Sequence, residues 1–137
     1  MELYDRLDAY PEVPDTMRLL AGRRPMILSN GNRAMLAAVV DHSGLGDVFE
    51  RLISAESAGV FKPDPRVYAL ACTETGLSPE EIVFVSSNFF DVAGARAFGF
   101  LTVWVNRRGE RADELDLAAT EQLDSLSRLP QLLDSLE

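Results

Sequence analysis

Two stretches place hydroxyl, amide and carboxylate groups where a run of apolar residues stops. In Ile82–Asp91, I-V-F-V-S-S-N-F-F-D, apolar residues give way to Ser86, Ser87 and Asn88, and then to Asp91. In Met26–Asn32, M-I-L-S-N-G-N, the same grammar ends on Ser29 and Asn30. Small polar groups at the tip of a buried strand are how an open parallel sheet presents chemistry, because its ligands sit beyond the carboxyl ends of the strands. Hydroxyls and backbone N–H groups at such a corner point into the space above the sheet. Asn88 can orient a neighbour by donating and accepting at once. Lys62, in G-V-F-K-P-D-P, stands between an apolar segment and a stiffening proline. Held there, its ammonium can reach over strand ends and stabilise an anion.

Each residue also has a plainer reading. Asp91 can cap the next helix, with the serines filling a turn. Lys62 can be a solvated surface lysine, the common case for this residue type. Tyr68 can serve as a core aromatic and nothing more. Of Phe89 and Phe90, one can wall an apolar pocket, or both can pack inside. His42, close to a helix end, reads as a surface or C-terminal cap residue, and Cys72 as core. What favours a site is the repetition: two strand tips with Ser and Asn in one short chain.

The elements that must position these groups follow from periodicity and punctuation. Strands are predicted at Pro25–Ser29, Arg51–Ser54, Ile82–Val85 and Leu101–Val105. Glu2–Tyr10 carries a weak helical stripe that Pro11 and Pro14 break. A helix over Asp15–Ala21 should stop at Gly22. Ser29–Asn32 reads as a turn, because Asn and Gly tolerate positive φ. Arg33–Ser43 is a helix with Met35, Leu36, Val39 and Val40 inward and Gly44 at its end. Ala55–Gly59 is a loop or short helix. Asp64 and Pro65 open a helix running to about Thr75, with Gly76 as its stop. Ser78 and Glu81 have capping-box spacing. Asp91 opens a small-residue helix over Val92–Phe98, Arg107–Leu117 is polar loop, and Ser127–Leu136 closes the chain as a helix. Short strands alternating with amphipathic helices predict a parallel α/β sheet covered on both faces.

Length and composition exclude several classes. A chain of 137 residues fits one domain with one core. Its formal net charge of -9 opposes nucleic acid or an anionic membrane as partner. One cysteine and one histidine make an internal disulfide impossible and a zinc site improbable. No apolar run approaches the ~20 residues of a membrane span. The opening M-E-L-Y-D-R-L-D has neither the basic start nor the apolar centre of a signal peptide, so cytoplasm is the expected location.

Three motifs in this order, S-N-G-N at 29–32, F-K-P-D-P-R-V-Y at 61–68 and V-S-S-N-F-F-D at 85–91, resemble the haloacid dehalogenase superfamily. Within it they are most similar to the type II L-2-haloacid dehalogenases. The likeness covers nearly the whole chain. It implies a three-layer Rossmann-like core without its cap domain. Residues 1–12 would be the remnant of the segment returning from the cap, and 13–137 the core. The resemblance gives Ser29 the contact to substrate carboxylate and Asn30 a share in holding the departing halide. Lys62 would stabilise the nucleophilic carboxylate and developing charge, with Tyr68 supporting the lysine region. Ser86, Asn88 and Asp91 would position the nucleophile and the hydrolytic water. Phe90 would line the substrate pocket. Superfamily phosphatases usually carry Gly-Asp near positions 86 and 87, where this chain has Ser86 and Ser87. Fewer carboxylates mean fewer ligands for a hard dication, so a metal-free and cofactor-free branch is expected. The implied partner is a small 2-haloacid, and a homodimer stays open.

One departure matters. The family's nucleophile is an aspartate on an early strand, in a pattern like F-D-x-Y-G-T, and nothing before Ser29 supplies it. Asp8-Ala9-Tyr10 copies some letters but lacks the preceding apolar strand, the following Gly-Thr and room for a cap. The expectation is a dehalogenase core that is inactive, or nearly so, by itself. The alternatives are a superfamily phosphatase and a non-catalytic interaction module. In the family the nucleophile strand lies between the strand ending at Ser29 and the one ending at Val85. Its absence predicts a compensation: direct pairing of those two strands, an inserted strand from a partner, or aggregation.

Overall fold

The structure, a computed structural model, describes residues 11–107 and 121–136. The stripe expected at Glu2–Tyr10, with Asp8 in it, lies outside them, as does nearly all of the polar stretch expected as loop. The chain forms two compact units. One is built from residues up to Gly59 together with Leu126 onward, the other from Val60–Ser125.

In the first unit, β1 (Met26–Ser29) and β2 (Arg51–Ser54) pair in parallel, with Met26 opposite Arg51 and Ser29 opposite Ser54. The helix between them, α2 (Arg33–Ser43), supplies the crossover a parallel pair needs. Asn32 caps it by accepting from the Met35 N–H at 2.8 Å, and Gly44 ends it at φ 76°. Leu36, Val40, Leu45 and Ile53 are buried. So are Met17 of α1 (Val13–Leu19) and Leu129 and Leu133 of α5 (Leu129–Ser135).

The start of this unit corrects the sequence reading. Pro14 does not precede the helix read as starting at Asp15, which begins at Val13. It sits in the first turn of α1, where its missing N–H is no loss. Gly22 is no C-cap either: α1 ends at Leu19, and Gly22 lies in a 3₁₀ turn over Ala21–Arg23. The chain reverses instead at Arg24, the one non-glycine residue with positive φ (57°) among those described. Its side chain is held by Glu50 at 2.9 Å.

The second unit carries β3 (Val83–Ser86), β4 (Leu101–Val105) and β5 (Glu121–Leu123), all parallel in that order. Their helices are α3 (Pro65–Thr75) and α4 (Phe89–Phe98). Its core joins Val67 and Tyr68 of α3 to Val92 and Ala95 of α4 and to Val103 and Trp104 of β4. The capping box at Ser78 and Glu81 is formed as expected. Cys72, expected in the core, is only half-buried.

The parallel α/β class is as expected, with two differences. Strands number five among the described residues, not four, and they form two sheets. β5 is a short polar edge strand, tied to β4 by the Asn106 N–H donating to the Leu123 carbonyl at 2.6 Å. Because β1 and β3 belong to different sheets, direct pairing of these two strands does not occur among the described residues.

Gly44 and Gly22 make a paired test. A methyl group at either position meets nothing within 4 Å, so any penalty is conformational. Gly44→Ala should lower stability by about 1–2 kcal/mol, the cost of a left-handed L-residue. Gly22→Ala, with no positive φ to lose, should be near neutral. Urea midpoints of the two variants decide it.

Candidate functional site

The site in the second unit begins where β3 stops. Ser86 ends the strand by accepting from the Asn88 N–H at 3.1 Å. Asn88 in turn accepts from the Phe90 N–H at 3.0 Å, and α4 starts at Phe89. The cap is therefore Asn88, not Asp91, and the helix opens earlier than the sequence reading placed it. Asp91 falls in the first turn, where the helix dipole favours a carboxylate. With its capping duty taken by Asn88, its side chain is turned to other partners.

Those partners come from the segment that opens α3. Asp64 caps α3 through the Arg66 N–H at 2.9 Å. The Arg66 side chain and that N–H together hold the Asp64 carboxyl down at about 2. From this fixed start, Tyr68 points inward and is fully buried. Its ring lies edge-on to Phe84 at 5.6 Å and to Phe100 at 6.0 Å. Its hydroxyl donates to Asp91 Oδ1 at 2.7 Å and approaches the Asp91 carbonyl at 3.1 Å. Burial first, then the bond to Asp91 and its charge, push the phenol far above its usual range.

Lys62 supplies the second leg. Its Nζ lies 2.8 Å from Asp91 Oδ2, with the two side chains only 15% and 11% exposed. The ammonium also stands over the Phe84 ring, 5.7 Å from its centroid, a favourable place for a cation. Ser86 Oγ donates more weakly to the same carboxylate oxygen at 3.4 Å. Lys62, Tyr68, Ser86 and Asp91 thus form one cluster at the carboxyl end of β3. Asp91 has donors on both oxygens, which blunts it as a nucleophile and suits it to fixing the ammonium. The ammonium is the group that can meet an incoming anion.

The two phenylalanines divide their roles. Phe89 packs on Trp104 at 4.9 Å, while the Trp104 N–H donates to the Ser87 carbonyl at 3.2 Å and steadies the corner. Phe90 is 68% exposed, beside the cluster and not in the core.

Ser29 and Asn30 lie in the first unit. The turn there does not use positive φ as expected. Ser29 Oγ accepts from the Gly31 N–H at 3.0 Å and closes it. Asn30 is exposed at its tip. Sequence reasoning missed Ser54, which is fully buried, donates to the Gly31 carbonyl at 2.7 Å and accepts from the Glu56 N–H at 3.2 Å. The signal was present: R-L-I-S is another apolar run ending on serine.

Residues 1–99 match a family model described as haloacid dehalogenase-like hydrolase. The chain is 42% identical over 135 residues to (S)-2-haloacid dehalogenase 1 of Pseudomonas sp. (strain CBS-3), covering 97% of this chain and 60% of that one. It is 47% identical over 116 residues to haloacetate dehalogenase H-2 of Moraxella sp. (strain B), covering 83% and 52%. The solved structure of L-2-haloacid dehalogenase from Xanthobacter autotrophicus with chloropropionic acid covalently bound matches with a TM-score of 0.94 at 34% identity. That match covers 99% of this chain and 65% of the other. The chain spans 52–60% of the length of these two curated relatives. Among the described residues no helix is long and apolar enough to cross a membrane.

The raised phenol of Tyr68 makes stability depend on pH. Below about 10, the ordinary tyrosine value, the phenol is protonated in folded and unfolded chain alike, and its contribution is complete. Above that, only the unfolded chain releases the proton, so stability falls as pH rises. The expected slope is about 1.4 kcal/mol per pH unit for this one proton. Tyr68→Phe should flatten it by that amount, as read from urea midpoints between pH 9 and 11.

Proposed function

This chain belongs to the haloacid dehalogenase-like hydrolases, and on that premise we propose that it forms the core portion of a hydrolytic 2-haloacid dehalogenase. Residues 13–137 are the hydrolase core, and 1–12 the segment returning from a cap. The complete enzyme converts a short 2-haloalkanoate and water into the 2-hydroxy acid, halide and a proton, in the cytoplasm. A nucleophilic aspartate attacks C2, the carbon–halogen bond breaks, and the halide leaves with the electron pair. Water then opens the resulting ester and regenerates the carboxylate. The F-D-x-Y-G-T-like pattern that bears this nucleophile is not among the 137 residues.

The residues present supply the complementary half. Lys62 holds the nucleophilic carboxylate and offsets charge as it develops. Asp91 and Tyr68 keep Lys62 in place, and Ser86 and Asn88 order the corner beside the hydrolytic water. Ser29 receives the substrate carboxylate, Asn30 the departing halide, and Phe90 covers the apolar part of the substrate. The observation that carries this reading is the nearly buried 2.8 Å contact between Lys62 and Asp91 at the carboxyl end of β3. Phosphatase chemistry fits less well, because Ser86 and Ser87 offer hydroxyls where a dication wants carboxylates.

Halide release from 2-chloropropionate tests the proposal. The chain alone should release none. A fusion that adds a relative's F-D-x-Y-G-T segment and cap should turn over, and Lys62→Ala in that fusion should lose about 10²–10³ in rate, as for removal of one charge-stabilising donor. Turnover by the chain alone that survives Asp8→Asn would sink the mechanism. Mg²⁺-dependent phosphate release from p-nitrophenyl phosphate would instead favour the phosphatase.

A further inference from the structure

Glycine inside a helix is unfavourable relative to alanine, so Gly94, in the middle of α4, needs a reason. It stands three residues after Asp91 and so on the same face. A Cβ built there would lie 2.8 Å from the Tyr68 hydroxyl, 2.8 Å from Pro63 Cβ and 3.2 Å from Tyr68 Cε2. None of these atoms can step aside easily. The pyrrolidine ring is rigid, and the Tyr68 ring is fully buried among Phe84, Phe98 and Phe100. An ordinary contact begins at 3.4 Å, so relief requires a shift of about 0.6 Å between α4 and these two residues. A hydrogen bond of 2.7 Å from Tyr68 to Asp91 does not tolerate that movement without stretching beyond good geometry. Pro63 directly follows Lys62, so displacement there disturbs the second leg as well.

We propose that Gly94 is a positioning residue: the missing side chain lets α4 approach Pro63 and Tyr68 closely enough for Tyr68 and Lys62 to close on Asp91. Its bearing on catalysis rests on the dehalogenase reading above, whereas the geometric role does not. The effect runs through Tyr68 and Lys62; Gly94 itself offers no group to a substrate.

The test uses the full chain and no turnover, so it stands or falls separately from the dehalogenase assay. The buried Tyr68 hydroxyl proton should appear as a slowly exchanging NMR signal, absent in Tyr68→Phe. Gly94→Ala should abolish that signal. Ala95→Gly, which loosens the same helix at a buried position, should keep it. Urea midpoints then complete a double-mutant cycle. The midpoint shift caused by Gly94→Ala should shrink by at least about half in the Tyr68→Phe background, because the hydroxyl clash is gone. A Gly94→Ala protein that keeps the hydroxyl signal overturns the proposal. So does an equal loss in both backgrounds, failure to fold in both included.

Discussion

The Asp91 carboxylate is the point on which the second unit turns. It draws a hydrogen bond from Tyr68, an ammonium from Lys62 and a weaker hydroxyl contact from Ser86, and it is 11% exposed. A carboxylate so far from water is tolerable only when paired and hydrogen-bonded. Tyr68, Ser86 and Asp91 each depend on a separate local device. Tyr68 depends on the Asp64 cap that starts α3, Ser86 on the end of β3, and Asp91 itself on Asn88 taking over the capping of α4. Local chain punctuation therefore underlies the geometry of the cluster.

Such a cluster is a poor investment if stability were its only product. Apolar residues of similar volume often stabilise a fold as well as, or better than, a nearly buried ion pair. Phe84, Phe98 and Phe100 already surround Tyr68, so an apolar solution lay close at hand. Retaining an ammonium whose place is fixed by a carboxylate makes sense when a second anion must be met at a defined position. Both oxygens of Asp91 are occupied by donors, so the cluster serves another group's chemistry better than its own. That matches the proposed mechanism, in which the attacking carboxylate is a different one.

Sequence patterns were legible where the signal was local and single-valued. The bounds of α2 and α3 follow from Gly44 and Gly76 behind them and Asp64 in front, and β2 and β4 from short apolar runs. The cluster was legible as a set of residues through the resemblance of its motifs; by residue type alone, Lys62 and Tyr68 had plainer readings. Other features hinged on letters with two meanings. Proline breaks a helix in its interior and suits its first turn, and Pro14 does the second for α1. Asn88 and Asp91 are equally good caps by type, and Phe89-Phe90 prolonged the apolar run, hiding the true start of α4. β5 has no apolar alternation at all, since E-Q-L is strand only because β4 pairs with it from far away in sequence. The need for glycine at position 94 arises from Pro63 and Tyr68, some thirty residues earlier.

Three strands end on serine, and the three serines do the same thing. Ser29, Ser54 and Ser86 each accept from the backbone N–H two residues on: Gly31, Glu56 and Asn88. The hydroxyl thereby closes a small turn that stops the strand and releases the chain into the next helix. Aspartate would close the same turn, because its side chain makes the equivalent bond. The choice between the two is therefore electrostatic, not conformational. At position 86 a carboxylate would face Asp91 across little more than hydrogen-bond distance, setting two like charges beside one ammonium. That arrangement calls for an added cation. The hydroxyl instead leaves one carboxylate for one ammonium, a balanced pair.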